Sequence, residues 1–396
     1  MPPSSLVACN IYITAAASQR SALLRLLREA QRHCQQLRNQ NHIGSVDVVG
    51  NVECSSRKVT SATVGIIHAY ADIPYDRSSF HIAGRYDCVS DVVSSLVCSA
   101  IHDMQFQPPS GNDNSDSRHP FVGLVDHVSI MPLVYPPNNN CKGFDLLRSC
   151  DAAANVAREI GKQMSSTNLV NVHYYGRACP HNTPLSTVRR ERTSFFGSGG
   201  AIDRERNGQH QRYDRAHTIA VKGDTTIGTP VGFVENFNIR LTSNVSIHQA
   251  KSLTQYLRGR NISTRGYGVV GVEALTLPYV RANPSSSSSA TGGGTVYEVA
   301  CNLTKPEVGG VVEILDQLKK WIEVETTKKL SSESNFIPST LNYDYFVEDA
   351  YRVGTTEEQC LLVLLDGSDN DSTKSDMFWE GYDKEIYSNF EENLLQ

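Results

Sequence analysis

The sequence predicts an α+β fold: two α/β-type units with mixed sheets and helices, the second close to a ferredoxin-like split βαβ layout. Three observations lead there. Strand-like apolar runs and segments of helical periodicity take turns along most of the 396 residues. Beyond a polar stretch from Gly197 to Arg215 the order becomes strand, helix, strand, strand, helix. The cluster Gly197-Ser198-Gly199-Gly200 looks like a phosphate-binding loop, but no helix signal follows it, which argues against a doubly wound Rossmann sheet.

Leu6 to Thr14 reads as a strand. Ser18 to Leu37 reads as an amphipathic helix, with Leu23, Leu24, Leu27 and Ala30 on one face and Arg25, Arg28 and Arg32 on the other. Thr63 to Tyr70 and Ser79 to Arg85 are expected as strands, Val89 to Met104 as a helix, and Val122 to Leu133 as a strand. A helix from Asp151 to Met164 and a strand from Leu169 to Tyr175 follow. After the polar stretch, Gly228 to Leu241 reads as one strand, Ser246 to Arg258 as a helix and Tyr267 to Val280 as a strand. Asn283 to Gly294 is almost pure Ser and Gly, the composition of a flexible hairpin tip. Thr295 to Leu303 is a strand, and Pro306 to Glu323 a helix with proline in its first turn. The expected organisation is a first unit over 1–196, a second over 216–330 and an acidic tail over 331–396.

Charge supports that division. The net charge is −5, which argues against a general nucleic-acid binder. From Ser331 to Gln396 there are 15 acidic and 3 basic residues, a balance of −12, so the first 330 residues carry +7. A basic body suits an anionic ligand with carboxylates or phosphates, and equally a plain solubility balance. In the tail, Phe378, Trp379, Tyr382, Tyr387 and Phe390 interleave with acids, which fits a docking segment or a helix folding onto the basic body. No run approaches the roughly 18 apolar residues of a membrane span, and the N-terminus lacks a secretory or transit layout. The expectation is a cytoplasmic protein without membrane contact. The ten cysteines form no CxxC pair, so no metal site is expected and most should be buried thiols.

The segment richest in chemistry is His119-Pro120-Phe121-Val122-Gly123-Leu124-Val125-Asp126-His127. Proline stiffens the approach to a strand, which sets an imidazole at a strand mouth. Its titration range suits acid–base work near neutrality, though a plain loop histidine is the commoner outcome of such a pattern.

This segment resembles the His-Pro-x-x-Gly-x-x-Asp motif of the glutamate formimidoyltransferase family, the folate-dependent transferase part of formimidoyltransferase–cyclodeaminase. It is closer still to the short plant and algal homologues. Other segments agree in order: Asp76-Arg77-Ser78-Ser79-Phe80 with the family's Asn-Arg-Thr segment, and Val172-His173-Tyr174-Tyr175-Gly176 with its Tyr-x-Tyr-Gly strand end. Leu185-Ser186-Thr187-Val188-Arg189-Arg190 follows as in plant-type members. Val234-Glu235-Asn236-Phe237-Asn238-Ile239 resembles the Phe-Asn-Ile-Asn strand, and Val299-Ala300-Cys301-Asn302-Leu303 the plant-type Val-Ala-Cys-Asn-Leu. The resemblance spans roughly residues 6 to 325. With the two-unit layout, it implies a ligand cleft between the subdomains.

The resemblance also implies transfer of a formimidoyl group between N-formimidoyl-L-glutamate and N5 of tetrahydrofolate, with His119 as proton shuttle and no metal. The partners are then small molecules, folate and formimidoylglutamate or glutamate, in one-carbon metabolism and histidine catabolism. Whether the chain dimerises stays open. Arg77 is the candidate for a substrate carboxylate, because guanidinium binds carboxylate bidentately. Asp72 could hold an amine or amidine. Asp126 either orients an imidazole or caps the motif. Lys222 is the candidate for the folate glutamate tail, and Tyr175 for a folate contact. Asn238 and Asn302 interrupt apolar strands, as hydrogen-bond nodes or as pterin contacts. His81 and His173 read as sheet histidines, and Arg189, Arg190 and Arg192 as a solvated face or, more sharply, a polyglutamate patch. Two departures matter: Phe121 replaces the family's arginine, with Arg118 as the neighbour able to supply that charge, and Asp76 replaces its asparagine. Phe121 keeps a rival open, a folate-binding protein with lost or altered activity, for example formyl transfer. An interaction protein working through its tail is the third reading.

Overall fold

The computed structural model describes residues 6–41, 64–106, 119–134, 143–193, 220–279, 296–332, 343–368 and 372–395. The stretch Gly197–Arg215, the tract Asn283–Gly294 and Arg118 lie outside the described residues. The chain divides into two units. One comprises Met1–Gly111, Pro120–Gly232 and Thr356–Gln396; the other comprises Asn112–His119 and Phe233–Thr355.

In the first unit, period-two alternation builds a six-stranded mixed sheet from β1 (Leu6–Ile13), β2 (Val64–Asp72), β3 (Arg77–Arg85), β4 (Val125–Leu133), β5 (Asn171–Gly176) and β6 (Asp224–Thr229). The strand order is β2-β3-β1-β4-β6-β5. β2, β3, β1 and β4 run antiparallel, whereas β6 joins β4 and β5 in parallel. On one face Val7, Cys9, Ile11 and Ile13 of β1, Phe80 and Ile82 of β3, Val128 and Ile130 of β4 and Ile227 of β6 form a buried apolar layer. Helices α1 (Arg20–Asn41), α2 (Tyr86–Asp103) and α3 (Gly143–Ser166) add Leu23, Leu27, Val92, Val93, Ala157 and Ile160 to that layer. The sequence-expected strands and helices up to Tyr175 are all present, with ends shifted by up to four residues except that α3 begins at Gly143 rather than Asp151.

One expected strand is two. Gly228 to Leu241 splits into β6, which ends at Thr229 in the first sheet, and β7 (Glu235–Leu241), which belongs to the second. Pro230 has no N–H to continue a ladder, and Gly232 adopts φ +126°, which a side chain would resist. The break coincides with the boundary between the units.

The second unit runs β7, α5 (Ile247–Leu257), β8 (Val272–Tyr279), β9 (Val296–Leu303) and α6 (Val311–Ser332), the expected order. β10 (Val347–Val353) completes an antiparallel sheet ordered β10-β7-β9-β8. Phe237, Ile239, Val299, Cys301 and Leu303 pack with Leu253 and Trp321 of the helices. Ser246 and Gln249 close a capping box at the start of α5.

The acidic segment from 331 onward adds β10 to this sheet and two helices, α7 (Glu357–Asp366) and α8 (Ser372–Asn393), to the first unit. Of the two readings of its aromatics, the structure realises the folding-back helix. Trp379 and Phe390 are buried, and Phe390 meets Phe80 at 5.3 Å between ring centroids. α8 also covers the open edge of β2: Tyr382 donates to Ile67 O at 2.9 Å, and Arg38 donates to Val64 O at 2.8 Å while pairing with Asp383 at 3.2 Å. Capping edge carbonyls in this way blocks unwanted strand pairing. The eight described cysteines are free thiols, all buried except the half-buried Cys98. Among the described residues, no helix is long and apolar enough to cross a membrane.

Candidate active site on the polar face of the first sheet

The face of the first sheet opposite the apolar layer is polar. Because side chains alternate, β1 turns Asn10 and Tyr12 to this face, β3 His81, β4 His127 and Ser129, β5 His173 and Tyr175, and β6 Thr226. Register lines them into rows. Asn10 pairs with His81 on one side and with Ser129 on the other, and His81 pairs with His68 of β2. One step along, Tyr12 pairs with His127, and Thr226 lies between His127 and His173. Asn10, His81, His127, Ser129, Tyr175 and Thr226 are all buried.

Asp126 sits where the β1–β4 ladder slips. Tyr12 faces His127 and Ile13 faces Val125, so Asp126 is the extra residue of a bulge. Its carboxylate is fully buried. Oδ2 accepts from Arg77 at 2.9 Å and from Arg189 at 3.2 Å, and Oδ1 accepts from the backbone N–H of Val122 at 2.9 Å. The Arg77 guanidinium also lies 4.4 Å over the Tyr12 ring. Arg189 comes from α4 (Leu185–Arg192), where it is half-buried while Arg190 and Arg192 are exposed. Burial lowers its pKa, Asp126 opposes that and Arg77 adds to it.

His127 is stacked between two tyrosines, Tyr12 at 5.9 Å and Tyr175 at 5.3 Å between centroids. The hydrogen bonds fix its tautomer. The Thr226 hydroxyl donates to Asp126 O at 3.1 Å, so it accepts from His127 Nδ1–H at 3.0 Å. That leaves Nε2 as an acceptor, 3.4 Å from the Tyr175 hydroxyl. The phenol proton is shared out between Nε2 and Ser129 Oγ, which is closer at 3.1 Å. Tyr175 reaches Ser129 because β6 has Gly228 between them; a Cβ there would lie 2.6 Å from the Tyr175 ring. Burial, then the charges of Arg189 and Arg77, hold His127 well below the ordinary histidine pKa, and burial raises that of Tyr175. His127 is thus a neutral hydrogen-bond node, and Tyr175 a protonated phenol.

The other sequence-predicted residues fall as follows. His119 is half-buried in the stretch entering β4, three residues before the Val122 N–H that is tied to Asp126. Phe121 packs edge-on against Phe106 at 6.1 Å. Asp72 ends β2, pairs in register with Arg77 and accepts from Tyr75 N in the hairpin. Asp76 takes φ +47°, which Asp tolerates, and accepts from Ala16 N at 2.9 Å, so it ties the hairpin to the turn after β1. The ammonium of Lys222 donates to Met104 O at the end of α2.

In the second unit, Asn238 donates to the buried carboxylate of Glu298 at 2.7 Å, which also accepts from Tyr351 at 2.6 Å and lies 3.5 Å from Arg240. Asn302 is exposed, on the same sheet face. The structure thus brings together Arg77, Asp126 and Tyr175 with four residues that sequence reading passed over: Asn10, Tyr12, Ser129 and Thr226. It also corrects Arg189, read as solvated and found against Asp126. The available signal was polar residues at every second strand position: Asn10 and Tyr12 in β1, and His127 and Ser129 in β4.

Residues 39–229 match the family described as the formiminotransferase domain, N-terminal subdomain. The match ends on the last residue of β6, where the six-stranded sheet ends. No curated protein matches the chain. Among solved structures, it is similar to the periplasmic protease PqqL from Escherichia coli at 9% identity and a TM-score of 0.19, over 100% of this chain and 42% of that one. The chain thus spans less than half of that protein's length, and a likeness at this level carries no argument.

Proposed function

We propose that the chain is a folate-dependent transferase that moves a formimidoyl group between N-formimidoyl-L-glutamate and N5 of tetrahydrofolate. The observation that supports it most is the formiminotransferase-type match over residues 39–229, which takes in the His119 motif and the Arg77–Asp126–Arg189 cluster. The chemistry is amidine exchange. N5 attacks the formimidoyl carbon, a tetrahedral intermediate forms, and the bond to the glutamate nitrogen breaks. His119 takes the proton that the attacking nitrogen sheds and returns it to the departing amine, work worth roughly 10²–10⁴-fold. Holding both substrates together supplies much of the rest. Arg77 would hold a substrate carboxylate, with Asp126 orienting it; Asp72 and Arg118 are further substrate contacts in this reading. Tyr175, Lys222, Asn238 and Asn302 are the folate contacts. The enzyme would act in the cytoplasm, in one-carbon metabolism and histidine catabolism.

The test is to incubate the protein with tetrahydrofolate and N-formimidoyl-L-glutamate and follow 5-formimidoyltetrahydrofolate, with His119→Ala alongside and folate binding measured on both. Turnover lost and binding kept in the variant is the expected result. Folate binding without turnover in the native protein overturns the transfer step. It would favour the second reading, a folate-binding protein, for which the packing of Phe121 on Phe106 in place of a charged arginine speaks.

A further inference from the structure

Asn10 stands at the centre of the first sheet, on a strand flanked on both sides. Its register partners are His81 and Ser129. Only 4% of its surface is exposed, and its side-chain oxygen has no hydrogen-bond partner among the described residues. The neighbours do not compensate: Ser129 Oγ is engaged by Tyr175, and Tyr175 by Ser129 and His127. Asparagine is disfavoured in strands, and a buried amide oxygen without a partner lowers stability. An apolar residue would serve the sheet better. Such a cost is the mark of a group reserved for something outside the fold.

We propose that Asn10 is a ligand contact, its amide held on the polar face to receive a planar group that offers an N–H donor beside an acceptor. An amide both donates and accepts, so it matches a cis-lactam or amidine edge in two hydrogen bonds. Two ligands carry such an edge in the transferase reading on which this assignment of the occupant rests: the pterin lactam of a folate and the amidine of a formimidoyl group.

The test uses the full chain, native, Asn10→Leu and Asn10→Ala. Each is titrated calorimetrically with 5-formyltetrahydrofolate and, separately, with N-formimidoyl-L-glutamate, and each is melted without ligand. Asn10→Leu is expected to melt about 2–4 °C higher than the native chain. Both variants are expected to lose roughly tenfold or more in affinity for one of the two ligands; the arm that weakens identifies the edge recognised. Unchanged affinity for both ligands, with native binding intact, overturns the proposal. If the native chain binds neither ligand, the transferase reading fails, and the melting temperature decides the rest. A more stable Asn10→Leu supports a reserved amide, and a less stable one overturns it. Asn10→Ala keeps the binding comparison if leucine overfills the position.

Discussion

Arg189 of α4 and Asp126 of the β4 bulge are 3.2 Å apart, on the same carboxylate oxygen that Arg77 reaches at 2.9 Å. The contact fastens α4 to the bulge. Breaking a buried pair from the carboxylate side strands the cations. Asp126→Asn is therefore expected to cost about 3–5 kcal/mol. Arg189→Met should cost less, because Asp126 keeps Arg77 and the Val122 N–H. Urea denaturation with an unchanged m-value measures both. A loss below about 1 kcal/mol for Asp126→Asn would mean that the cluster is open to solvent.

The histidines of the polar face set a pH dependence. Burial depresses the pKa values of His68, His81 and His127, the last two strongly; His68 adds to the effect on His81, and Arg189 and Arg77 to that on His127. In the unfolded chain each titrates near 6.5. Below that pH the unfolded state binds protons that the folded state does not. Stability is thus full above about pH 6.5 and falls as pH drops toward the depressed folded values. His81 and His127, the two most strongly depressed, should carry most of that loss. Urea melts at pH 7.5 and 5.5 should show this, with a smaller drop for His127→Gln. Equal drops would mean that His127 titrates normally in the fold.

Trp379 of α8 is fitted against glycine. A Cβ on Gly65 of β2 would lie 2.2 Å from the indole, and one on Gly367 would lie 2.4 Å from it. Arg38 covers the ring at 4.5 Å, and the indole N–H donates to Gly367 O at 3.0 Å. Gly65→Ala should cost about 1–3 kcal/mol by overpacking, and Trp379→Ala about 3–5 kcal/mol by the cavity left. The double variant should lose less than the sum, because removing the indole makes room for the methyl. Strict additivity in denaturation would show that α8 does not press on β2.

Elements were legible where a single pattern decided them. The helix of α2 and the strands β1 to β4 follow directly from apolar periodicity. The β6–β7 break was hidden because apolar residues continue on both sides of Pro230, and only the assignment to two sheets separates them. The chain beyond 331 was hidden by its charge: most of its described acids face solvent while Trp379 and Phe390 turn inward. In the site, residue type singled out Arg77, Asp126 and Tyr175, but not that Asp126 would take up Arg77 and Tyr175 would reach Ser129. Arg189 did not stand out, because a run of arginines reads as one face, and only helix geometry selects the member that points in. Asn10 and Thr226 matter through cross-strand register, which one strand's sequence does not contain.

Thr225 and Thr226 are adjacent on β6, both fully buried, and should respond in opposite ways to the same substitution. Thr226 faces the polar row, where its hydroxyl accepts from His127 and donates to Asp126 O. Thr225 faces the apolar side, in register with Val172, and its hydroxyl has no partner among the described residues. Valine keeps the shape and removes only the hydroxyl. At 226 this strands two partners, and a loss of about 1–3 kcal/mol is expected. At 225 it removes an unsatisfied group, and a gain of about 1 kcal/mol is expected. Chemical denaturation of the two variants beside the native chain measures the difference. Losses of similar size at both positions would mean that the Thr225 hydroxyl has a partner in solution, and that the faces of β6 are less distinct than their register implies.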